Sequence, residues 1–351
     1  MTSETRGEPR GRKIGWTLVA GGAGFIGSHL CRTLLERGER VLCLDNLQTA
    51  RASNLDLLES HAGFHFVRGD ITLPLPPEVT GKTAAIRRIY NLACAASPGL
   101  YQADPEHTMM TNVVGTDRLL RLAEQSGARF LLTSTSEVYG DPDVHPQPEN
   151  YRGNVSCTGP RACYDEGKRA AETLAFDFAR MGRADVRVAR IFNTYGPQMR
   201  IDDGRVVSNF IGQVLAGEPL TIYGDGSQTR SFCYVEDTVD ALIRLMEADL
   251  PEETPVNIGN QHELTIAELV EALGTVTGQP VEVVHRALPT DDPTRRRPDI
   301  GRARAFLGWE PTTPLLAGLR KTYAWFASEH AARPRTPLVA AARHEPARSR
   351  L

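Results

Sequence analysis

Short apolar runs alternate with amphipathic segments through the first half of the chain. The runs WTLVAG, RVLCLD, FHFVRGD, RIYNLA and RFLLTSTS are nearly continuous, which is typical of strands buried on both faces. Helical periodicity separates them at residues 28–37, 106–125 and 164–181. Strands that alternate with helices predict an α/β fold with a doubly wound parallel sheet covered on both faces.

The pattern changes after VRVARIFNTYG, where turn-rich segments such as PLTIYGDGSQTRSFCYVED and a short helix at 265–275 replace the regular alternation. A smaller C-terminal substrate-binding domain is therefore expected, with strands such as PVNIGN returning to complete the first sheet. The predicted organisation is a disordered tail at 1–12, a mainly cofactor-binding domain at 13–190, a mainly substrate-binding domain at 191–330, and a disordered tail at 331–351.

Composition and charge narrow the choice of partner. The 351 residues are 41% hydrophobic and 24% charged with a net charge of −3, which predicts a soluble globular protein without a general field for nucleic acid or membrane. A small molecule is the expected partner. The six cysteines are scattered, which predicts neither a zinc site nor a disulfide framework and favours a reducing cytoplasm. The sequence predicts no export signal and no membrane span.

Three glycines follow the first predicted strand at three-residue intervals. In LVAGGAGFIGSHL, Gly21, Gly24 and Gly27 lie between that strand and a helix. Glycine is needed because the turn is tight, a pyrophosphate must approach the backbone, and the helix must pack close to the strand. The strand, glycines and helix together indicate a dinucleotide site in a Rossmann-type sheet.

Acidic residues at the ends of the next two strands narrow the choice of dinucleotide. Asp45 in VLCLDN can accept hydrogen bonds from a ribose diol and would repel a 2′-phosphate, so NAD is favoured over NADP. Asp70 in VRGDI could reach the adenine edge, with a plain strand-end turn as the alternative. The predicted cofactor contacts are Gly21, Gly24, Phe25, Ile26, Gly27, Asp45, Asn46, Asp70, Ile71, Leu92 and Lys168.

A tyrosine and a lysine four residues apart supply candidate chemistry. In a helix, Tyr164 and Lys168 lie on one face about one turn apart. The ammonium would favour the phenolate and lower the phenol pKa from about 10 toward working pH. Beside a nicotinamide, Tyr164 can remove the hydroxyl proton of an alcohol while Lys168 holds the nicotinamide ribose. The alternative is an ordinary charged surface helix.

Three polar residues end the fifth predicted strand in LLTSTSEVYG. Thr135 and Ser136 can act in catalysis or simply cap the strand end. Glu137 is the informative residue, because a carboxylate beside a sugar ring could relay a proton or, when ionised, repel a substrate carboxylate.

An ordered series of motifs carries a family resemblance. It comprises GGAGFIGSH, NLACAASP, STSEVYGDP, GPRACYDEGKR, RIFNTYGP, DGRVVSNF, YGDGSQTRSF, and DDPTRRRPDI followed by LGWEP. The chain resembles the extended short-chain dehydrogenase/reductases that act on nucleotide sugars, and most closely their UDP-glucuronate decarboxylases. The pair Ser136-Glu137 makes the distinction, since 4,6-dehydratases typically carry Asp-Glu there and many 4-epimerases lack the glutamate.

The resemblance implies a reaction and a set of residues. UDP-glucuronate would be oxidised at C4, lose carbon dioxide as a β-keto acid and be reduced to UDP-xylose, with NAD regenerated. It assigns catalysis to Thr135, Glu137, Tyr164, Lys168 and an arginine of the RRRPD segment, placed at Arg296 with Arg297 as the fallback. Anionic and sugar groups of the substrate imply contacts with Ser97, Tyr101, Ser136, Asn193, Arg205, Tyr223, Arg230 and Arg296.

The resemblance also implies a homodimer, because segments 106–125 and 164–181 match helices that pair across a four-helix interface in that family. No metal is expected. The alternatives are a UDP-uronate 4-epimerase, a 4,6-dehydratase, a decarboxylase that stops at the ketone and releases NADH, and an NAD- or nucleotide-sugar-binding regulatory protein. Two positions depart from the family pattern: Ala95 replaces proline, and Gln198 replaces arginine and leaves its own partner open.

Overall fold

The computed structural model describes residues 15–251, 253–287 and 295–332. The strands are β1 (Trp16–Ala20), β2 (Arg40–Asp45), β3 (Phe64–Arg68), β4 (Ile86–Asn91), β5 (Arg129–Thr135), β6 (Val186–Ile191), β7 (Thr194–Tyr195), β8 (Leu220–Tyr223), β9 (Thr229–Ser231), β10 (Cys233–Tyr234), β11 (Pro255–Ile258), β12 (Glu263–Thr265), β13 (Val283–Arg286) and β14 (Arg295–Arg296). The helices are α1 (Phe25–Glu36), α2 (Ser53–Glu59), α3 (Pro77–Thr80), α4 (Pro98–Tyr101), α5 (Pro105–Met110), α6 (Thr116–Ser126), α7 (Ala162–Arg180), α8 (Val206–Ala216), α9 (Val235–Glu247), α10 (Ile266–Thr277), α11 (Gly301–Leu307) and α12 (Leu315–Ala332).

Seven parallel strands form the main sheet in the order β11-β6-β5-β4-β1-β2-β3. The five predicted N-terminal strands are β1 to β5, and PVNIGN returns as β11 beside β6 as predicted. The strand order reverses between β1 and β4, and ligands bind at such a reversal, outside the carboxyl ends of the strands. The predicted Rossmann-type fold is confirmed.

Each face of the sheet carries its own apolar core. Val19 packs with Leu34 of α1 on one face, whereas Leu18 and Leu42 pack with Leu120 of α6 on the other. Because alternate residues of a strand point to opposite faces, β1 is buried at every position. This explains why the N-terminal strands have nearly continuous apolar sequences.

The smaller lobe is built on short sheets rather than one large one. A three-stranded sheet has the order β12-β9-β14, and two pairs join β8 with β13 and β7 with β10. Its core is continuous with one face of the main sheet, since Phe210, Leu269 and Phe326 belong to the same cluster as Val19. The chain crosses between the lobes more than once, because β6 ends at Ile191 and β11 returns to the main sheet.

The helices differ from the predicted ones mainly at their ends. α1 begins at Phe25, three residues before the predicted start, because Gly24 is its N-cap. Residues 106–125 are helical but include a π-helical turn at Thr111–Gly115 between α5 and α6. α12 continues to Ala332, so residues 331 and 332 are helical rather than part of the predicted tail. The remaining tail residues lie outside the described ranges. Among the described helices, none is both long enough and apolar enough to span a membrane.

Candidate active site

A cavity of about 1140 Å³ opens at the carboxyl ends of the central strands. The glycine loop after β1, the loops after β2, β4 and β5, and the start of the smaller lobe line it. Sites for one small ligand are usually ~300–1,000 Å³. The cavity therefore has room for a cofactor and a second ligand.

The glycine loop satisfies the steric demands of a dinucleotide site. Gly21 has φ +77°, and a Cβ there would lie 2.7 Å from the Ala93 nitrogen. A Cβ on Gly27 would lie 2.1 Å from the Gly21 oxygen, so a side chain at Gly27 is excluded. Among the described residues, no side chain caps the start of α1. The loop thus fits the pyrophosphate of a dinucleotide at the helix N-terminus.

Asp45 ends β2 at the edge of the cavity and is 8% exposed. Its Oδ2 accepts from the Ala23 amide at 3.0 Å, and its Oδ1 accepts from the Leu47 amide at 2.8 Å. Burial raises the pKa of this carboxyl group, whereas the backbone hydrogen bonds oppose the rise. Asp45 therefore has the position predicted for a ribose acceptor, and it also fixes the glycine loop to the following turn.

Asp70 lies at the cavity edge, but protein groups already engage both of its oxygens. Thr72 donates to Oδ1 from its amide at 2.8 Å, while Asn46 and His107 contact Oδ2 at 2.8 and 2.7 Å. Although burial opposes ionisation, these hydrogen bonds lower the Asp70 pKa to about 2. The structure thus shows the strand-end turn at Asp70, the adenine contact stays a prediction, and His107 lines the cavity without having been predicted.

Tyr164 and Lys168 lie on one face of α7, as predicted, and both are buried. The Lys168 Nζ lies 5.9 Å from the centre of the Tyr164 ring and donates to the Thr133 carbonyl at 2.9 Å. Burial raises the pKa of Tyr164 and lowers that of Lys168. The Tyr164 pKa is therefore not lowered as expected, because desolvation outweighs the effect of the ammonium at that separation.

Tyr101 and Thr135 hold Tyr164 at the end of the cavity beside the loop after β5, which is called the sugar end below. The Tyr101 ring stacks on it with centroids 4.9 Å apart and an interplanar angle of 4°. A side-chain hydrogen bond with Thr135 lowers the Tyr164 pKa and so partly opposes the effect of burial. Aromatic stacking fixes the ring plane, and Thr135 directs the hydroxyl toward the end of β5.

Glu137 lies between two guanidinium groups. Its Oε2 accepts from Arg161 Nη2 at 2.8 Å and from Arg296 Nη2 at 3.3 Å. Although burial opposes ionisation, the charges of Arg296, Arg161 and Arg230 hold the pKa of Glu137 below its usual range. Glu137 is therefore held as an ionised carboxylate.

Arg161 was missed as a site residue, and Asp165 beside Tyr164 is a buried carboxyl group outside the described cavity lining. Arg161 lines the cavity from the N-cap of α7, three residues before Tyr164. Asp165 follows Tyr164 and is 7% exposed, and burial followed by the charge of Glu137 raises its pKa to about 7. The i, i+3 spacing of Arg161 and Tyr164 in GPRACYDEGKR was the available signal.

Most of the other predicted contacts line the same cavity, but two do not. Ser97 is buried at the N-cap of α4, where its carbonyl accepts from the Leu100 and Tyr101 amides, and it is not among the described lining residues. Arg297 lies outside the described lining because its neighbour Arg296 faces inward, and it approaches Glu263 at 3.9 Å. The predicted residues that line the cavity besides those above are Phe25, Ile26, Asn46, Ile71, Leu92, Ser136, Asn193, Arg205, Tyr223 and Arg230.

The structure shows the contacts of the two residues that depart from the family pattern. Ala95 is 6% exposed and packs with Tyr101 and Tyr164. Gln198, at φ +69°, accepts from the Ser28 hydroxyl at 2.8 Å. Gln198 therefore finds its partner on the cofactor helix α1.

The arrangement has the groups needed to oxidise an alcohol beside an anion. In its ionised form Tyr164 can accept a hydroxyl proton, Thr135 can donate a hydrogen bond to the resulting oxygen, and Arg296 offers positive charge. Glu137 would repel an incoming carboxylate unless the arginines compensate it. The site is thus suited to an anionic sugar.

Comparison with characterised proteins agrees with this geometry. The chain is 53% identical over 303 residues to UDP-glucuronic acid decarboxylase 3 of Arabidopsis thaliana, with 86% of each chain covered. It is 48% identical over 312 residues to UDP-glucuronic acid decarboxylase 1 of Danio rerio, with 89% of this chain and 72% of the relative covered. The resemblance inferred from the motifs is confirmed.

Solved structures and a family model agree on the fold. The UDP-glucuronic acid 4-epimerase of Bacillus cereus in complex with UDP-glucuronic acid and NAD is 27% identical, with a TM-score of 0.81 over 90% of this chain and 99% of that chain. The UDP-glucose 4-epimerase of Thermotoga maritima with UDP-glucose is 30% identical, with a TM-score of 0.80 over 90% of this chain and 99% of that chain. The family model matches residues 17–259. This chain belongs to the NAD dependent epimerase/dehydratase family, and its cofactor is NAD.

Proposed function

We propose that the protein decarboxylates UDP-glucuronate to UDP-xylose through a 4-keto intermediate and regenerates its NAD. The observation that carries the proposal is the carboxylate of Glu137 held by Arg161 and Arg296 beside the base Tyr164. A neutral sugar would not require so much charge at this end of the cavity. The relatives named as UDP-glucuronic acid decarboxylases support the same reaction.

The cofactor end of the cavity would hold the dinucleotide through this chain's own groups. The start of α1 would face the pyrophosphate, Asp45 would accept from the ribose, and Lys168 would lie beside the nicotinamide ribose. NAD, when bound, supplies the acceptor for the hydride that leaves the sugar and returns it at the end of the cycle.

Tyr164 accepts the proton of the 4-hydroxyl as C4 is oxidised. The product carries a ketone two carbons from the carboxyl carbon. The bond from C5 to the carboxyl carbon then breaks, and its electron pair passes into an enolate whose oxygen lies at C4. The protonated Tyr164 and the Thr135 hydroxyl can donate hydrogen bonds to that oxygen.

The charged cluster has its role around the carboxylate. Arg296 and Arg161 attract the substrate carboxylate, whereas the negative charge of Glu137 beside them repels it. Loss of carbon dioxide removes this repulsion. Protonation of C5 by a proton taken up from solvent then restores the ketone before the final reduction, and Glu137 can relay that proton.

The decisive experiment supplies UDP-glucuronate and NAD and follows carbon dioxide, NADH and the sugar product together by NMR. Carbon dioxide with UDP-xylose and no net NADH is the expected result. Stoichiometric NADH would mean that the reaction stops at the ketone, and UDP-galacturonate without carbon dioxide would make the protein a 4-epimerase. Binding of both ligands without turnover would support the regulatory alternative.

We also propose that the protein is a homodimer that pairs through α5, α6 and α7. These helices pack side by side on one surface, where Met110 is 40% exposed. The segments match the pairing helices of the resembling family. Sedimentation at micromolar concentration should give twice the chain mass, and a monomeric mass would contradict the proposal.

We propose a cytoplasmic location for the protein. Its six cysteines are all free, and Cys31, Cys43 and Cys233 are buried as small apolar side chains. Such residues are typical of a reducing compartment. Fractionation of the source cells tests the proposal, since recovery of the protein with an oxidising compartment would contradict it.

A further inference from the structure

The segment that carries Arg296 has little regular structure to hold it. Strand β14 is two residues long and pairs in parallel with β9 at Thr229 and Arg230. The Arg296 carbonyl accepts from the Ser231 hydroxyl at 3.1 Å. Yet the Arg296 side chain is 3% exposed and reaches both the Ser136 carbonyl and Glu137. Other groups must therefore fix the backbone on the carboxyl side of Arg296.

Gln147 supplies those groups. It is fully buried, its amide donates to the Arg297 carbonyl at 2.9 Å, and its side-chain oxygen accepts from the Arg297 amide at 2.9 Å. Its own carbonyl accepts from the Asp299 amide at 3.0 Å. Three hydrogen bonds from one residue thus hold the segment immediately after Arg296.

Asn257 connects this contact to the main sheet. It lies fully buried in β11, and its Nδ2 donates to the carbonyls of Gln147 at 2.9 Å and Asp299 at 3.0 Å. Its Oδ1 accepts from the Tyr139 hydroxyl at 2.8 Å. Tyr139 ends the 3₁₀ turn at Ser136–Tyr139, which carries Glu137. The same hydrogen-bond chain therefore reaches both partners of the Glu137–Arg296 pair.

We propose that Gln147 and Asn257 are positioning residues that fix Arg296 against Glu137 and thereby set the preference for a carboxylated sugar. The proposal rests on the proposed function. Neither side chain lies among the described residues that line the cavity, so each acts through the Arg296 segment. A displacement of about 1 Å in a reacting group can cost ~10²-fold in rate, so a small shift of this segment has a measurable effect.

The test separates positioning from general stability by a double-mutant cycle. Gln147→Met keeps the volume of the side chain and removes its hydrogen bonds with the Arg297 amide and the Val144 carbonyl, while the two backbone hydrogen bonds of residue 147 remain. The change is made in wild type and in Arg296→Ala. The expected result in wild type is a ~10–100-fold fall in kcat/KM for UDP-glucuronate. In Arg296→Ala the same change should cost less than about 2-fold, because residues that act through one another are not additive.

Binding measurements provide a readout that a merely structural role would not change. The ratio of the UDP-glucose Kd to the UDP-glucuronate Kd should fall by roughly 10-fold in Gln147→Met, a change worth ~1.4 kcal/mol, while the Kd of NAD stays unchanged. Gln261→Ala is the matched control, since Gln261 donates to the Pro298 carbonyl of the same segment at 3.4 Å. It should leave the ratio unchanged.

Equal losses in both backgrounds, an unchanged binding ratio, or the same loss in Gln261→Ala would overturn the proposal. Gln147→Asn is the milder second variant if Gln147→Met fails to fold, because it withdraws the side-chain oxygen by one methylene and keeps the amide. The binding ratio requires no turnover. Absence of UDP-xylose from the wild-type enzyme would therefore contradict the proposed function alone, and the positioning role would still be decided by the ratio.

Discussion

The cofactor end and the sugar end of the cavity are formed by different kinds of residues. At the cofactor end, Gly21, Gly27 and Asp45 lie close together in sequence and act through backbone geometry. At the sugar end, Glu137 meets Arg161 from the start of α7 and Arg296 from β14. One end is a local motif, whereas the other is an ion-pair cluster assembled by the fold.

The difference predicts how substitutions at each end should affect the protein. A glycine loop depends on the absence of side chains, so its failure is steric and affects cofactor binding. A buried ion-pair cluster depends on charge balance, because removal of one partner leaves the others uncompensated. Substitutions at the two ends should therefore produce separable defects in NAD affinity and in turnover.

The largest effect is expected at Tyr164, where the two ends meet. Tyr164→Phe removes the proton acceptor but keeps the ring that stacks on Tyr101. Turnover of UDP-glucuronate should fall by ~10²–10⁴-fold, equivalent to roughly 3–5 kcal/mol of barrier, with the Kd of NAD unchanged. Tyr151→Phe, at a residue outside the described lining, is the control for loss of a hydrogen-bonded tyrosine hydroxyl. Wild-type turnover in Tyr164→Phe would remove this residue from the mechanism.

Glu137→Gln tests charge balance at the sugar end alone. Turnover should fall by ~10²-fold, because the carboxylate that accepts a proton is lost. UDP-glucuronate should bind at least as tightly as before, since both arginines become available to its carboxylate. Steady-state rates and calorimetric titration measure the two quantities. Glu263→Gln is the matched control, because Glu263 pairs with His145 and Arg297 outside the described lining. Weaker substrate binding with unchanged turnover would reverse the assignment.

Asp45→Ala tests the cofactor end alone. The Kd of NAD should rise about 10–100-fold, since a hydrogen bond to a charged group contributes ~1.5–3 kcal/mol. Binding of the UDP-sugar should change little. Titration with NAD and with NADP measures the effect, and Asp56→Ala, at an exposed position in α2, is the control. An unchanged Kd, or a wild-type preference for NADP, would disprove the role of Asp45.

The smallest expected effect is on the pH dependence of folding stability, through the crowded charges around Asp165. The pKa of Asp165 is raised to about 7 by burial and Glu137, despite the opposing charges of Arg161 and Arg296, with Glu166 adding to the rise. The folded protein keeps a proton there that the unfolded chain releases above about pH 4. The stability contribution of Asp165 is therefore complete at low pH and lost as the pH rises toward 7.

Asp165→Asn should remove this pH dependence. Between pH 5.5 and 7 the wild type should lose ~1–2 kcal/mol more unfolding free energy than the variant. Urea unfolding at several pH values measures the difference. Parallel pH profiles for the two proteins would show that Asp165 does not titrate in this range.

Much of the cofactor end could be predicted from the sequence because its physics is local. A strand, spaced glycines and a strand-end aspartate form within one unit, and their order carries the geometry. The helical spacing likewise placed Tyr164 and Lys168 on one face. Helix ends were less predictable, as Gly24 capped α1 earlier than the apolar pattern suggested.

The sugar end could be predicted only in part because its contacts are long-range. The pairing of Glu137 with Arg296 joins residues 159 positions apart. The family resemblance rather than periodicity pointed to each residue, but not to their contact. Arg161 was missed although it lies one helical turn from Tyr164. The pKa of Tyr164 was predicted in the wrong direction, because spacing reveals proximity to Lys168 but not the extent of burial.

The π-helical turn at Thr111–Gly115 has a consequence for insertions and deletions. Such a turn accommodates one residue more than an α-helix would at the same place. Here Asn112 uses the wider turn to donate to the Thr108 carbonyl and to Cys94 Sγ. Deletion of one residue here would restore a continuous α-helix and leave α5 and α6 in phase, so His107 would stay beside Asp70. The same deletion within the regular helix α6 would rotate the residues on either side by about 100° relative to each other. The π-helical turn is therefore the place in this segment where the chain can lose a residue without a change of helical phase.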